Sequence, residues 1–519
     1  MMARSISIAM IYQRINQFSY LSKQFICWAS SRASCRASFR GSLPLIVFMV
    51  SVLGVLGFST FQILGDPDTL LHLRIGQWIF SHQAVPTVDY FSHSLPGEPW
   101  VAHEWLSELI LLMVYQIGGW GGLVFLAASC LGLSLALLAM FLQKRMPPIY
   151  ALLFTALAFF AMSTHLLVRP HILAWPLLLI WVSSLLDSAE HHRKPSYLLL
   201  LVMGLWVNLH GSFIFGLAIL FPLALLALQN APSQSRRALM KQWLIFIGLA
   251  FATCLFNPQG LAGAIFPLQI LNLQNLTTIV EWMPYRFAGF NSLEILLFVY
   301  MVLALLGLLK LPIITIVMLL GLLHMALTHN RYVSIFGLLS PMLIASAFGL
   351  AYSQKMADQV PSKMDDFFSR LTLPAGFYAI VTVAGLMVFT AWMGNRMNRY
   401  APPERTLATL ALNAFESSGK TGPVLNDYQF GGALIYRGLP VLIDGRADLY
   451  DQKLMGSYVA AMIDGKPSAL TNLIDDYHIS WALLAPESPA IPYFDNQAEW
   501  KQFYADTNAV IYFKNPQVN

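Results

Sequence analysis

The stretch Gly65-Asp66-Pro67-Asp68-Thr69-Leu70-Leu71-His72-Leu73-Arg74 follows directly on the first membrane-length apolar run, residues 42–64. Two carboxylates, an imidazole and a guanidinium therefore sit within a few residues of a bilayer surface. Asp68 reads as the N-cap of a short helix, with Leu71, Ile75, Trp78 and Ile79 recurring at helical spacing behind it. The pattern predicts a helix lying along the membrane surface with the acidic pair at its N-terminus. Alone, Asp-Pro-Asp reads first as a solvated loop with a helix cap, so the other polar clusters decide its meaning.

Outward from this stretch the chain is apolar. Of its 519 residues 57% are hydrophobic and only 11% charged, which no soluble core accommodates. Further membrane-length runs fall near 120–142, 148–167, 171–187, 196–209, 212–229, 239–256, 292–309, 312–328, 332–351 and 373–393, making eleven with the first. The short pair around Asn208-Leu209-His210-Gly211 leaves ten as the alternative. Trp105 to Tyr115 suits a second interfacial helix. The net charge of +5 matches loops facing anionic lipid and excludes a nucleic-acid partner. Cys27, Cys35, Cys130 and Cys254 have no metal spacing and outline no disulfide framework. Residues 1–42 hold six Arg/Lys and no acid, and read as a basic cytoplasmic tail, with a transit-like peptide or a start at Met10 as alternatives.

Lys and Arg fix the orientation: alternate loops counted from the N-terminal tail hold 17, the opposite loops only Arg74, Arg169, Arg286 and Arg331. The N-terminus is expected in the cytoplasm and, after an odd number of spans, residues 394–519 outside. The external side then collects the unusual residues. The first external loop, 65–118, carries Asp66, Asp68, His72, Arg74, Asp89, His93, His103 and Glu104; later loops bring His165, Arg169, His171, His210, Glu281, Arg286 and Arg331. Each alone is an ordinary interfacial anchor. A one-sided set of ionisable groups at helix ends argues for a site.

From Tyr400 on, charge rises and apolar runs shorten to strand length: Val424-Leu425, Val441-Leu442-Ile443, Trp481 to Leu484 and Ala509 to Phe513. Helical segments near 428–437, 451–463 and 467–476 alternate with them, predicting a small α/β domain. Its densest polar cluster, Asp444-Gly445-Arg446-Ala447-Asp448-Leu449-Tyr450, falls at an expected strand end, where α/β sites lie, although a salt-bridged turn fits it equally. No Walker, dinucleotide, HExxH or Gly-x-Ser-x-Gly pattern occurs.

Asp68-Thr-Leu-Leu-His72-Leu-Arg74, then Pro86, Asp89, Phe91-Ser92, Gly97, Pro99-Trp100 and His103-Glu104-Trp105-Leu106, together with Asp444 to Tyr450, resemble the GT-C superfamily of membrane glycosyltransferases, through a bacterial GT-C-like family of poorly defined role. The resemblance covers most of 60–515 and implies the fold class: a polytopic α-helical protein of about eleven spans with a small C-terminal α/β extracytoplasmic domain. It divides the chain into a cytoplasmic tail (1–42), a GT-C-like membrane domain (43–393) and the external domain (394–519), in a bacterial inner membrane. It implies transfer of a sugar from a polyprenyl-phosphate donor to a glycan, lipid or protein acceptor. Inverting transfer needs a general base, for which Asp66 or Asp68 serves, and cations for the departing phosphate, for which Arg74, Arg169, Arg286 and Arg331 serve. His72, His103, Glu104, His171, His210 and Glu281 complete the substrate site. A divalent ion (Mg or Mn) held by Asp66, Asp68 and Glu104 is optional. Asp89→Asn is expected to be much milder than exchange of Asp66 or Asp68. Two other classes share the layout: a lipid-linked-sugar flippase, which should show inverted repeats, and a non-catalytic envelope-polysaccharide assembly protein.

Overall fold

A segment surrounded by lipid must satisfy its own backbone hydrogen bonds, and an uninterrupted run of Leu, Val, Ile, Phe and Ala does so as a helix. The computed structural model, which describes residues 41–58, 60–229, 231–270, 280–287, 289, 291–357 and 363–515, follows this rule. The basic tail 1–42 lies outside the described residues except for its last two. The first apolar run forms α1 (Leu43–Phe58), and α2 (Asp68–His82) and α3 (Trp105–Leu142) follow. The later runs are helices Pro148–Ser163, His171–Glu190, Leu199–Leu209, Phe213–Ala218 with Leu220–Gln229, Ser233–Thr253, Ser292–Leu305, Ile313–Thr328, Val333–Lys355 and Phe377–Arg396. Among the described residues four helical segments (Trp105–Leu142, His171–Glu190, Asn330–Lys355 and Phe377–Arg396) are long and apolar enough to cross a membrane on length and composition alone. Ser233–Thr253 has the length but carries Arg236, Arg237 and Lys241 in its first half.

The 38-residue α3 is two helices joined at Gly119, whose φ of 57° and ψ of −150° no helix contains. A side chain there would be strained, so glycine marks the place where the segment beginning at Trp105 gives way to the apolar run 120–142. The start of α2 differs from the expectation drawn from sequence. Pro67, not Asp68, precedes the helix, and the Asp66 side chain does the capping: its Oδ1 accepts from the Asp68 N–H at 2.8 Å. Asp68 is thereby buried at the first helical position.

The C-terminal part builds a four-stranded sheet from β1 (Val424–Asn426), β2 (Trp481–Leu484), β3 (Trp500–Ala505) and β4 (Val510–Lys514), in the order β1-β2-β4-β3. β1 and β2 are parallel and the other pairs antiparallel. Val441 to Ile443 is not one of its strands. Val441 bonds instead to the first loop, donating to the Phe91 carbonyl (3.2 Å) and accepting from the His93 N–H (2.9 Å). β3 has only Trp500 buried and alternates weakly, which hid it from a periodicity reading.

That pairing belongs to a larger union. Leu70, Leu71, Ile75 and Ile79 of α2, with Phe91, Trp100 and Ala102, share one hydrophobic core with Leu425, Phe430, Leu434, Val441 to Ile443 and the sheet. A second core of α1, α3 and later apolar helices contains Leu56, Leu64 and Leu73 but not that face of α2. The seam is polar as well: Thr406 Oγ1 donates to the Gly65 carbonyl (3.0 Å), Ser94 Oγ to the Leu442 carbonyl (2.6 Å) and the Trp100 indole to Asp448 (3.2 Å). Asp89 sits in this seam, fully buried. It accepts from the Phe91 and Ser92 N–H groups and the Ser92 hydroxyl, and from Arg446 Nη1 at 2.6 Å. The expectation that Asp89→Asn is milder for transfer than exchange of Asp66 or Asp68 is separate from stability, where its burial and its bond to Arg446 predict a cost. A carboxylate with four donors, one of them a buried guanidinium, is part of the framework.

Candidate functional site

Backbone bonds place the key charges. Val168 donates to the Ile63 carbonyl (3.1 Å) and accepts from Thr69 Oγ1 (3.0 Å), which pins the next residue, Arg169, opposite the start of α2. Its Nη2 bonds the Asp68 carboxylate, and its Nη1 lies 2.5 Å from Glu281 Oε1 and 3.4 Å from Asp66 Oδ2. Glu281 arrives on a loop tied to the turn 329–332: His329 Nδ1 donates to the Trp282 carbonyl (2.8 Å) and the Asn330 N–H to the Met283 carbonyl (3.0 Å). The same turn carries Arg331, whose guanidinium lies 4.5 Å over the Trp282 ring and forms no ion pair among the described residues.

Burial would raise the Glu281 carboxyl, but the charge of Arg169, and after it Arg331, brings it down to about 2. Asp66 moves the other way, because burial outweighs the pull of Arg169. The Arg169 guanidinium, although penalised by burial, is held more firmly protonated by Asp66 and Glu281.

Apart from Asp66, these groups border a cavity of about 250 Å³. Asp68, Arg169, Glu281 and Arg331 line one side of it, while His72, His103, Glu104, His171 and His210 line another. His210 Nδ1 accepts from the Ser212 N–H (3.1 Å), which leaves its proton on Nε2, 3.4 Å from Glu104 Oε1. His103 approaches the same oxygen at 3.7 Å, and His171 donates to the His165 carbonyl (2.8 Å). Burial keeps His103, His165 and His210 below the usual imidazole range. His72 is also penalised by burial, but its bond to Glu108 (3.2 Å) and the nearby carboxylates lift it above that range.

The roof comes from the C-terminal part. Gly445, Arg446, Ala447 and Asp448 line the cavity, and a Cβ at Gly445 would overlap the Asp68 carboxylate. Asp444 and Tyr450 lie behind this loop. Arg446 grips Asp444 through Nε (2.9 Å) and Nη2 (2.7 Å), and the Tyr450 hydroxyl donates to Asp444 at 2.7 Å. Burial would raise Asp444, but Arg446 holds it below the carboxylate range. Asp448 has only the Trp100 indole as a side-chain donor, and burial pushes its carboxyl from an ordinary 3.8 up to about 6. Folding thus favours its neutral form more than an exposed carboxyl would, and stability falls as pH rises from about 4 to about 6. We expect Asp448→Asn to raise the melting temperature of purified protein at pH 8 and leave it unchanged at pH 4; a loss of stability at pH 8 would refute this.

Two arginines assigned from sequence stand apart. Arg74 bonds Gln77 (2.9 Å) on the outer face of α2, and Arg286 is exposed with only the Met283 sulfur beside it. Helical spacing turns Arg74 away from the face that carries Asp68 and His72. The set Asp66, Asp68 and Glu104 does not converge either: the aspartates face Arg169, and Glu104 faces two histidines. Conversely, Glu108 was hidden inside an apolar run. It is buried, lines the cavity, bonds His72 and has its second oxygen without a hydrogen-bond partner. Its spacing of four from Glu104 on one helix face was the available signal. Trp282 and Tyr428, which also line the cavity, had none.

This helix arrangement, with a first loop that carries its own helix and a charged cavity, is a fold shared with solved membrane proteins. The particular solved neighbours are Archaeoglobus fulgidus oligosaccharyltransferase tethered to an acceptor peptide containing an NVT sequon (TM-score 0.52, 12% identity, 91% of this chain and 74% of that one) and its apo form (0.50, 12%, 92% and 74%). ArnT from Cupriavidus metallidurans bound to undecaprenyl phosphate aligns over 90% of this chain and 97% of that one at 12% identity and a TM-score of 0.46. No protein-family model and no curated protein sequence matches the chain.

Proposed function

We propose that this chain is a membrane glycosyltransferase that takes a sugar from a polyprenyl-phosphate carrier and transfers it, with inversion, to an acceptor on the extracytoplasmic face. Eleven crossings over 43–393, a cytoplasmic N-terminus and an external domain over 394–519 are part of this reading. One observation carries it: Asp68, the paired Arg169 and the unpaired Arg331 face a single cavity in a fold shared with an oligosaccharyltransferase. The lipid tail would lie among the apolar helices, with the phosphate at Arg331. The acceptor oxygen attacks the anomeric carbon as the bond from that carbon to the phosphate oxygen breaks, and the electron pair leaves on the phosphate. The acceptor proton passes to the Asp68 carboxylate, which its bond to Arg169 holds in place. Arg331 receives the developing charge, since its guanidinium lies over the Trp282 ring and makes no ion pair among the described residues.

Membranes carrying Arg331→Met test this with a radiolabelled polyprenyl-phosphate sugar. Met keeps an apolar stem over Trp282 but no charge, and kcat/KM for the donor should fall by about 10²-fold, the scale of losing one charge-stabilising group. An unchanged value would remove Arg331 from the phosphate site. Equal transfer with and without the chain would end the transferase reading.

A further inference from the structure

We propose that the Arg169 guanidinium fills the place between Asp66, Asp68 and Glu281 that a divalent cation would otherwise take, so that the reaction proposed above runs without a metal ion. This inference rests on that reading for its catalytic half and on geometry alone for its binding half.

Three carboxylates from two separate segments meeting at one point are the usual cradle of a hard cation, which asks for six or more oxygens at 2.0–2.6 Å. Here they meet on nitrogen. Arg169 Nη1 takes Glu281 Oε1 at 2.5 Å and Asp66 Oδ2 at 3.4 Å, and Nη2 takes Asp68 Oδ2. A further Asp66 oxygen is engaged by the Asp68 N–H. Gly445 packs close to the Asp68 carboxylate from the roof, where a side chain would overlap it. The set Asp66, Asp68 and Glu104 fails for a different reason, since Glu104 is turned toward His103 and His210. Among the described residues no group of three His, Cys, Asp or Glu side chains is arranged to hold an ion. An arginine cannot lose its proton, so its charge is permanent. It differs from a metal in being fixed to the chain, insensitive to chelators, and forked, which holds the carboxylates in one plane. Arg331, which forms no ion pair among the described residues, is left for the phosphate.

Mn²⁺ binding followed by electron paramagnetic resonance on the purified full-length protein in detergent separates the two situations. Wild type should bind no Mn²⁺ that depends on Asp66. Arg169→Gln, neutral and of similar reach, should gain one bound ion, at least about ten times more tightly held than any on wild type, and Arg169→Gln/Glu281→Gln should lose it. Wild-type Mn²⁺ that disappears in Asp66→Asn overturns the proposal, as does a folded Arg169→Gln that gains none. Should Arg169→Gln fail to insert, the comparison of wild type with Asp66→Asn still decides. In the transfer assay, membranes washed with EDTA should keep their full rate, and loss restored by Mn²⁺ overturns the catalytic half. No transfer under any condition would sink the transferase reading while leaving the Mn²⁺ result to stand on its own.

Discussion

Asp68→Asn should cut sugar transfer by about 10²–10⁴-fold, the range for losing a general base. The substitution keeps size and one oxygen against Gly445, and Arg169 retains Asp66 and Glu281 as partners. The variant should therefore insert and survive heating close to wild type. Asp66→Asn is the informative companion. An amide oxygen still caps the Asp68 N–H, so the start of α2 is kept while one negative charge is removed. Asp66 itself does not line the cavity, so its exchange should act through Arg169 and cost less than exchange of Asp68. Turnover of a radiolabelled polyprenyl-phosphate sugar by membranes of each variant is the measurement. Full turnover by both would take the acidic pair out of the mechanism and leave a non-catalytic assembly role ahead.

The second large effect concerns stability. Arg446→Met leaves Asp89 and Asp444 buried without their shared counter-charge, a loss of about 3–5 kcal/mol when one partner of a buried network is removed. The damage should be local to the seam between the first loop and the C-terminal sheet. Thermal melting should drop by several degrees, and limited proteolysis should cut the 394–423 region much faster than in wild type. Asp89→Asn should behave similarly but more mildly, because an amide keeps one acceptor for the Phe91 and Ser92 N–H groups. Wild-type melting and proteolysis in Arg446→Met would show that the apolar core of the seam suffices without the ion pairs.

What was legible from sequence follows a physical divide. Helices in lipid announce themselves locally, since every residue of a run such as 171–187 must be apolar for its own sake. The break at Gly119 falls between Trp105 to Tyr115, read as interfacial, and the run 120–142. The alternation of loops across the bilayer brought Asp68, Arg169, Glu281 and Arg331 to one end before any coordinates existed. Which partner each charge chose was not legible. Arg74 and Arg331 are both guanidiniums in loops read as external, yet one bonds Gln77 while the other lies over Trp282. Val441 to Ile443 has a strand's composition, yet its partner is Phe91 to His93, some 350 residues earlier, and local periodicity carries no trace of that. Glu108 carried only its spacing of four from Glu104 as a signal, and its partner His72 became evident only from packing.

The contact between Asp89 and Arg446 spans 357 residues of chain. At about 5–20 residues per second, a ribosome needs roughly 20–70 s to make the later partner after the earlier one. Throughout that interval the apolar face of α2 and the Asp89 carboxylate are already synthesised with nothing to pack against. The cavity has walls but no roof until the last hundred residues have been delivered to the same side of the membrane. A chain released early by a premature stop codon therefore lacks the roof of the cavity and presents an uncovered apolar helix to quality-control proteases.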